Sequence, residues 1–196
     1  MKKKAPEPKR CGWCSDDPLY REYHDREWGR VRRESRDDCY LFEMLTLEGA
    51  QAGLSWLTIL KKRDGYRRAF ANWDIAKVAR FSPARQKTLM ADAGIVRNRL
   101  KISSTVGNAR ALLTVQKEFG SFAAYLWGFV GGKTIVNRPR SFRDLPTKTP
   151  LSDALSKDLK KRGFRFVGST IVYAYLQAVG IVEDHEVGCA AKPGRQ

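Results

Sequence analysis

The stretch LMADAGIVRNRLKI, residues 89–102, decides the fold. A helical pattern opens at the Ser82-Pro83 pair, runs through Leu89 and Met90 and stops at Gly94. Serine there is an N-cap, and proline sits at the first helical position, where its missing N–H is not needed. A second helical pattern opens at about Arg97 and continues to about Glu118. A glycine between two helices is either an ordinary left-handed cap or the centre of a tight hairpin. In a hairpin, the glycine turn and the second helix present backbone N–H groups to an anion.

The same helical periodicity extends outward in both directions. Asp37 or Asp38 can cap a helix with an apolar stripe of Leu41, Phe42, Leu45 and Ala52, and Ser55 opens the next, through Trp56, Leu57, Ile59 and Leu60 to Tyr66 and Phe70. Another helix is expected over 122–129, then a mostly loop segment over 130–150. Ser152 opens a helix that ends at Gly163, and Ser169 opens the last, through Ile171, Tyr175 and Ala178 to Gly180. No alternation is long enough to build a sheet, so the expected fold class is all-α. Residues 1–8 read as a basic tail, and 9–196 as one domain of two helical lobes.

Hydrophobic residues make up 42% of the 196, enough for a core without disulfide staples. No apolar run approaches the length of a membrane span. The basic N-terminus is not followed by an apolar stretch, so no secretory signal, no membrane partner and a cytoplasmic location are expected. The net charge is +16, of which residues 1–10 contribute four. The other twelve are spread over the folded part, which points to a polyanion and above all to nucleic acid. A ribosomal protein or a binder of anionic membranes would share this charge. Arg97, Arg99 and Lys101 place part of it beside Gly94, and the segment 89–102 there resembles a helix-hairpin-helix, which grips a phosphate without reading sequence.

Three side-chain groupings bear chemistry. The two histidines, His24 and His185, each lie near a cysteine, Cys11 and Cys189. His185 and Cys189 have the i, i+4 spacing of one helical turn or tight loop. Two thiolates with two imidazoles would suit Zn2+ and tie the chain's two ends together; chance proximity is the alternative. Cys11 and Cys14 also form a CxxC pair, without the strand context that a redox motif needs. Glu48 falls in the apolar stripe beside Leu45, where a carboxylate is costly unless it finds donors or lines a polar cavity. Finally, Trp13, Tyr20, Tyr23, Trp28 and Trp56 crowd into 44 residues. Tyr20, His24 and Trp28 would share a face if their segment is helical. Beside a carboxylate and a basic surface, such aromatics suit a pocket that stacks a nucleobase.

Taken together, RCGW (10–13), DPLY (17–20), YHD (23–25), EWG (27–29), LEG (47–49), QAGLSW (51–56), LS (155–156), KKRG (160–163), DH (184–185) and GC (188–189) resemble the 3-methyladenine DNA glycosylase I family over about residues 9–194. The resemblance implies a helix-hairpin-helix glycosylase fold, a monomer, that binds duplex DNA carrying alkylated bases. It implies excision of 3-methyladenine, with 3-methylguanine a second candidate, and a structural Zn2+ on Cys11, His24, His185 and Cys189. Glu48 and Tyr23 would hydrogen-bond the flipped base, with Trp13 and Trp56 enclosing it. Cys14 and Cys39 fall outside these roles. Gly94 would contact DNA, and Leu54 or Gln51 would fill the gap left by the flipped base. Many related glycosylases carry a catalytic aspartate about twenty residues after the hairpin, yet residues 95–142 contain no Asp and only Glu118. The family resembled here also lacks it. The rival class is a zinc-stabilised DNA-binding module without catalysis.

Overall fold

The computed structural model describes residues 7–193, so most of the 1–8 tail lies outside the described residues. In chain order the helices are α1 (Pro18–Arg26), α2 (Asp38–Gln51), α3 (Trp56–Ala69), α4 (Ile75–Ala79), α5 (Pro83–Leu89), α6 (Arg99–Phe119), α7 (Phe122–Gly128), α8 (Pro150–Lys161) and α9 (Ser169–Ala178). Two short strands, β1 (Ile135–Val136) and β2 (Val182–Glu183), pair in parallel, with Ile135 opposite Val182. The expectation of no sheet is corrected to that extent; two residues are too few to show alternation.

Side-chain caps set most helix starts. Asp17, Asp37, Ser55, Asp74, Ser82, Asn98, Ser121 and Thr149 each accept a first-turn backbone N–H. The α8 start shifts from the expected Ser152 to Thr149, because Pro150 occupies the first turn and Thr149 and Ser152 form a reciprocal capping box. α1 and α4 were not drawn as helices from the sequence; nine and five residues offer little periodicity.

α2 is the central element. Tyr40 through Ala50 are all buried, whereas Ala52, expected on its apolar stripe, lies exposed beyond its end. A helix apolar on all sides has no stripe to find, and α2 packs against α3, α6, α7 and α9. Its first residue anchors the far end of the fold. Asp38 accepts from Phe122 N–H (2.8 Å), Ala123 N–H (2.8 Å) and the Gln116 amide (2.7 Å), placing a carboxylate at the N-terminus of α7.

The turn over 90–98 joins α5 to α6 as expected, but Gly94 is not left-handed. Its value is closeness: a Cβ on Gly65 of α3 would lie 2.1 Å from the Gly94 carbonyl oxygen. The hairpin therefore lies backbone to backbone on α3. Among the described residues, no helix is long and apolar enough to cross a membrane.

Candidate active site

α1, α2 and α3 converge on a cavity of about 270 Å³. α1 and its flanks contribute Trp13, Tyr20, Tyr23 and Trp28; the end of α2 contributes Glu48 and Gln51; the start of α3 contributes Trp56. All the residues expected to meet or enclose a base are thus brought together. Trp13 packs edge-on against Trp28 (4.7 Å) and Tyr20 (5.6 Å), and Tyr23 lies tilted against Trp56 at 5.2 Å. Trp28 lies past the end of α1 rather than on its face, but still stacks on His24.

Glu48 is 4% exposed, and burial alone pushes its carboxyl up to about 8. Among the described residues no cation or hydrogen bond offsets that rise, and the negative C-terminal end of α2 acts in the same direction. At neutral pH the cavity therefore holds Glu48 mostly protonated. Burial and then the Glu48 and Glu27 charges raise the Tyr23 phenol far above its usual range, which keeps it a donor. The cavity is an aromatic slot, open to the surface, with Glu48 the one carboxylate among the described residues of its lining. It can accept a flat ligand and will favour one that brings positive charge.

Phe142, Leu145, Ala174 and Gln177 complete the wall and were not anticipated. They come from the second half of the chain, and the one available signal was a polar Gln177 on the apolar α9. Its amide N–H donates to Asp184 (2.6 Å), a buried carboxylate that also accepts from Tyr173 and Asn137.

Behind Trp13 and Trp28, Cys11, His24 and Cys189 bring ligand atoms within 4.8 Å of one another. The His185 ring lies 5.2 Å from that of His24, and its Nε2 is buried without a partner. Each histidine has its Nδ1 held by a carboxylate: His24 by Asp25 (2.7 Å), His185 by Glu183 (2.8 Å). Arg10 in turn clamps Asp25, and Lys192 pairs with Glu183. Carboxylates on the outer ring nitrogens, the usual second layer around a metal, turn the inner ones toward the sulfurs, where His24 Nε2 lies 3.6 Å from Cys189 Sγ. Two sulfurs and two imidazoles in a buried cluster fit Zn2+. His185 and Cys189 lie on a tight loop, not a helix. Gly29, at φ +67°, is required beside them, since a Cβ there would meet the His185 ring at 3.0 Å.

The CxxC alternative finds no support in the geometry. The Cys11 thiol faces Cys189, and their hydrogen bond pushes Cys11 up and Cys189 down. Burial raises Cys14 to about 11, which makes it a poor nucleophile. Cys39 is exposed and is not among the clustered ligand residues. Glu118 is paired on the surface with Arg162 and does not line the cavity.

Leu54 is 39% exposed at the tip of the loop joining α2 to α3, beside Gln51. Gly53 takes φ +78° there, and Leu54 N–H donates to the Gln51 carbonyl. The Gly94 N–H, expected to face DNA, instead donates to the Asp92 carboxylate (2.7 Å). In the first turn of α6 the Asn98 side chain accepts from the Lys101 N–H.

Residues 13–192 match the family model described as methyladenine glycosylase. The chain is 50% identical to DNA-3-methyladenine glycosylase 1 of Escherichia coli over 187 residues, 95% of this chain and 98% of that protein. A crystal structure of a 3-methyladenine DNA glycosylase I matches with a TM-score of 0.89 at 48% identity, covering 94% of this chain and all of the other. The enzyme from Staphylococcus aureus, solved to explain its 3-methyladenine recognition, matches with a TM-score of 0.90 at 37% identity, covering 95% and 98%.

Proposed function

The chain belongs to the methyladenine glycosylase family, and from that premise we propose that its aromatic cavity receives 3-methyladenine flipped out of duplex DNA. The chain then cuts the N-glycosidic bond with water as the final nucleophile and leaves an abasic site. The observation that carries this reading is Glu48, a carboxyl with no partner among the described residues in an aromatic slot, pushed up to about 8 by burial.

Methylation at N3 makes the adenine of a nucleotide cationic. A cation entering the slot supplies the charge that Glu48 lacks, so the carboxyl gives up its proton and pairs with the base. Neutral adenine brings no such compensation and leaves Glu48 protonated, which makes the discrimination electrostatic. The Glu48 carboxylate accepts from the exocyclic amine, the Tyr23 hydroxyl donates to a ring acceptor, and the faces of Trp13 and Trp56 add cation–π attraction. A cationic base is already a good leaving group. Extruding it and favouring the transition state therefore suffice, without the aspartate that this chain lacks.

Cys11, His24, His185 and Cys189 would hold a Zn2+ that supplies structural cross-linking and no reaction chemistry. It would tie the segment bearing Trp13 to the loop after β2. The 89–102 hairpin would grip the DNA backbone, while Leu54 or Gln51 would fill the vacated stack of a duplex bound by a single copy of the chain in the bacterial cytoplasm.

Tryptophan fluorescence tests the pocket directly, because three of the five tryptophans line it. Free 3-methyladenine is expected to quench it saturably and unmodified adenine is not. Equal indifference to both would favour a DNA-binding module without catalysis.

A further inference from the structure

Lys101 lies in the first turn of α6, three residues after the Asn98 cap. Its half-buried ammonium pairs with no carboxylate among the described residues. It donates to the Ala50 carbonyl (2.8 Å) and the Ala52 carbonyl (2.7 Å), at the C-terminus of α2. That end needs a cation. α2 stops at Gln51 with Ala52 already out of helical geometry, and its last carbonyls have no partners within the helix. A lysine there both satisfies them and complements the negative end of the helix dipole.

The element bearing Lys101 is itself fixed. Lys62 of α3 donates to the Ala93 carbonyl of the hairpin (2.7 Å), and Gly65 and Gly94 touch backbone to backbone. Two lysines thus cross in opposite directions: α3 holds the hairpin, and the hairpin's helix holds the start of the 51–55 loop. On one side of Lys101 is the first turn of α6, open to a phosphate. On the other are Glu48, Gln51 and the exposed Leu54.

We propose that Lys101 is a positioning residue that couples the DNA-gripping hairpin to the 51–55 loop, fixing where Leu54 enters the duplex once the backbone is held. This rests on the proposed entry of that loop into DNA. Freed from Lys101, the loop's root would have two carbonyls to satisfy with water and no fixed distance to the bound phosphate. The base slot, walled by α1, α2, α3 and the α9 region, would remain intact, because Glu48 lies within the buried body of α2 and the Lys101 bonds fall after it.

The test is Lys101→Met, which keeps the stem and removes the donors, with Lys101→Arg as the conservative partner. Under saturating enzyme, single-turnover release of 3-methyladenine from methylated duplex is expected to fall between about ten- and a hundred-fold, the cost of misplacing a group near the reaction. Affinity for free 3-methyladenine is expected to be unchanged, and Lys101→Arg to recover most of the rate. An unchanged single-turnover rate would overturn the proposal. So would a parallel loss of free-base binding, which would mean general damage to the pocket. A loss confined to duplex affinity, with the salt slope reduced by about one, would make Lys101 a plain phosphate contact and overturn it as well. Leu54→Ala, assayed in parallel, separates the premise. Full activity there with a slow Lys101→Met removes the wedging role and leaves the hold on the loop; a slow Leu54→Ala with a fully active Lys101→Met overturns the role of Lys101 alone.

Discussion

Replacing Glu48 by Gln is expected to cut excision of 3-methyladenine by roughly a hundredfold to a thousandfold while making the protein more stable. The loss is that of a charge complementary to the reacting base, and removing one such electrostatic partner typically costs that much. The gain follows from linkage. The folded carboxyl sits near pH 8 and the unfolded one near the usual 4.5, so the native state binds the extra proton. The stability tied to Glu48 is therefore fully present below about pH 4.5 and is lost as pH rises toward 8. By pH 7 that loss amounts to roughly 3 kcal/mol at 1.36 kcal/mol per unit. Glutamine cannot ionise and does not incur it. Thermal melts of the two proteins should nearly coincide at pH 5 and separate at pH 8, with Glu48→Gln the higher by several degrees. A lower Tm for the variant at pH 8 would mean that Glu48 is held by partners, not merely buried. Duplex binding should survive the change, since Glu48 does not lie on the hairpin.

Loss of the metal is the second large effect expected. Metal analysis of the purified protein should return about one zinc per chain, as four ligands in one cluster imply. Without the ion, two thiols and two imidazoles would be left buried around a gap, with the His185 Nε2 unpaired. Cys189→Ala is expected to cost more than about 4 kcal/mol, in the range of lost metal or disulfide links, and to lower Tm by roughly 10 °C. Excision should fall with it, because Trp13 stands at 5.1 Å against the His24 ring and depends on that cluster for its place. A metal-free chain that melts at the same temperature would remove zinc from the account.

How far the sequence disclosed all this depended on how local each signal was. Helix starts were legible because a cap is a single residue making a bond two or three positions on; Ser55, Ser82 and Asp37 were found in this way. Thr149 was missed because either member of its reciprocal box with Ser152 can be taken for the cap. α2 was found but misread, since a helix buried on every side has no polar face to mark its register. In the site, Trp13, Tyr23, Glu48 and Trp56 lie within 44 residues and could be suspected together. Phe142, Leu145 and Gln177 could not, because nothing local in the chain ties them to α1. Gly94 was noticed as the glycine of a turn between two helices; that it abuts Gly65 of α3 depends on the tertiary fold and left no local sign. Lys101 was visible only as one charge among several, and its bonds to the end of α2 depend on the tertiary fold.

The central claim is that this chain releases an alkylated adenine from DNA and does not merely bind there. Duplex DNA treated with a methylating agent, incubated with the purified protein and analysed by chromatography for free bases, tests it most directly. 3-Methyladenine should appear as the free base, unmodified adenine should stay in the polymer, and the DNA should acquire abasic sites in equal number. DNA that is bound by the protein but keeps all its 3-methyladenine would contradict that claim.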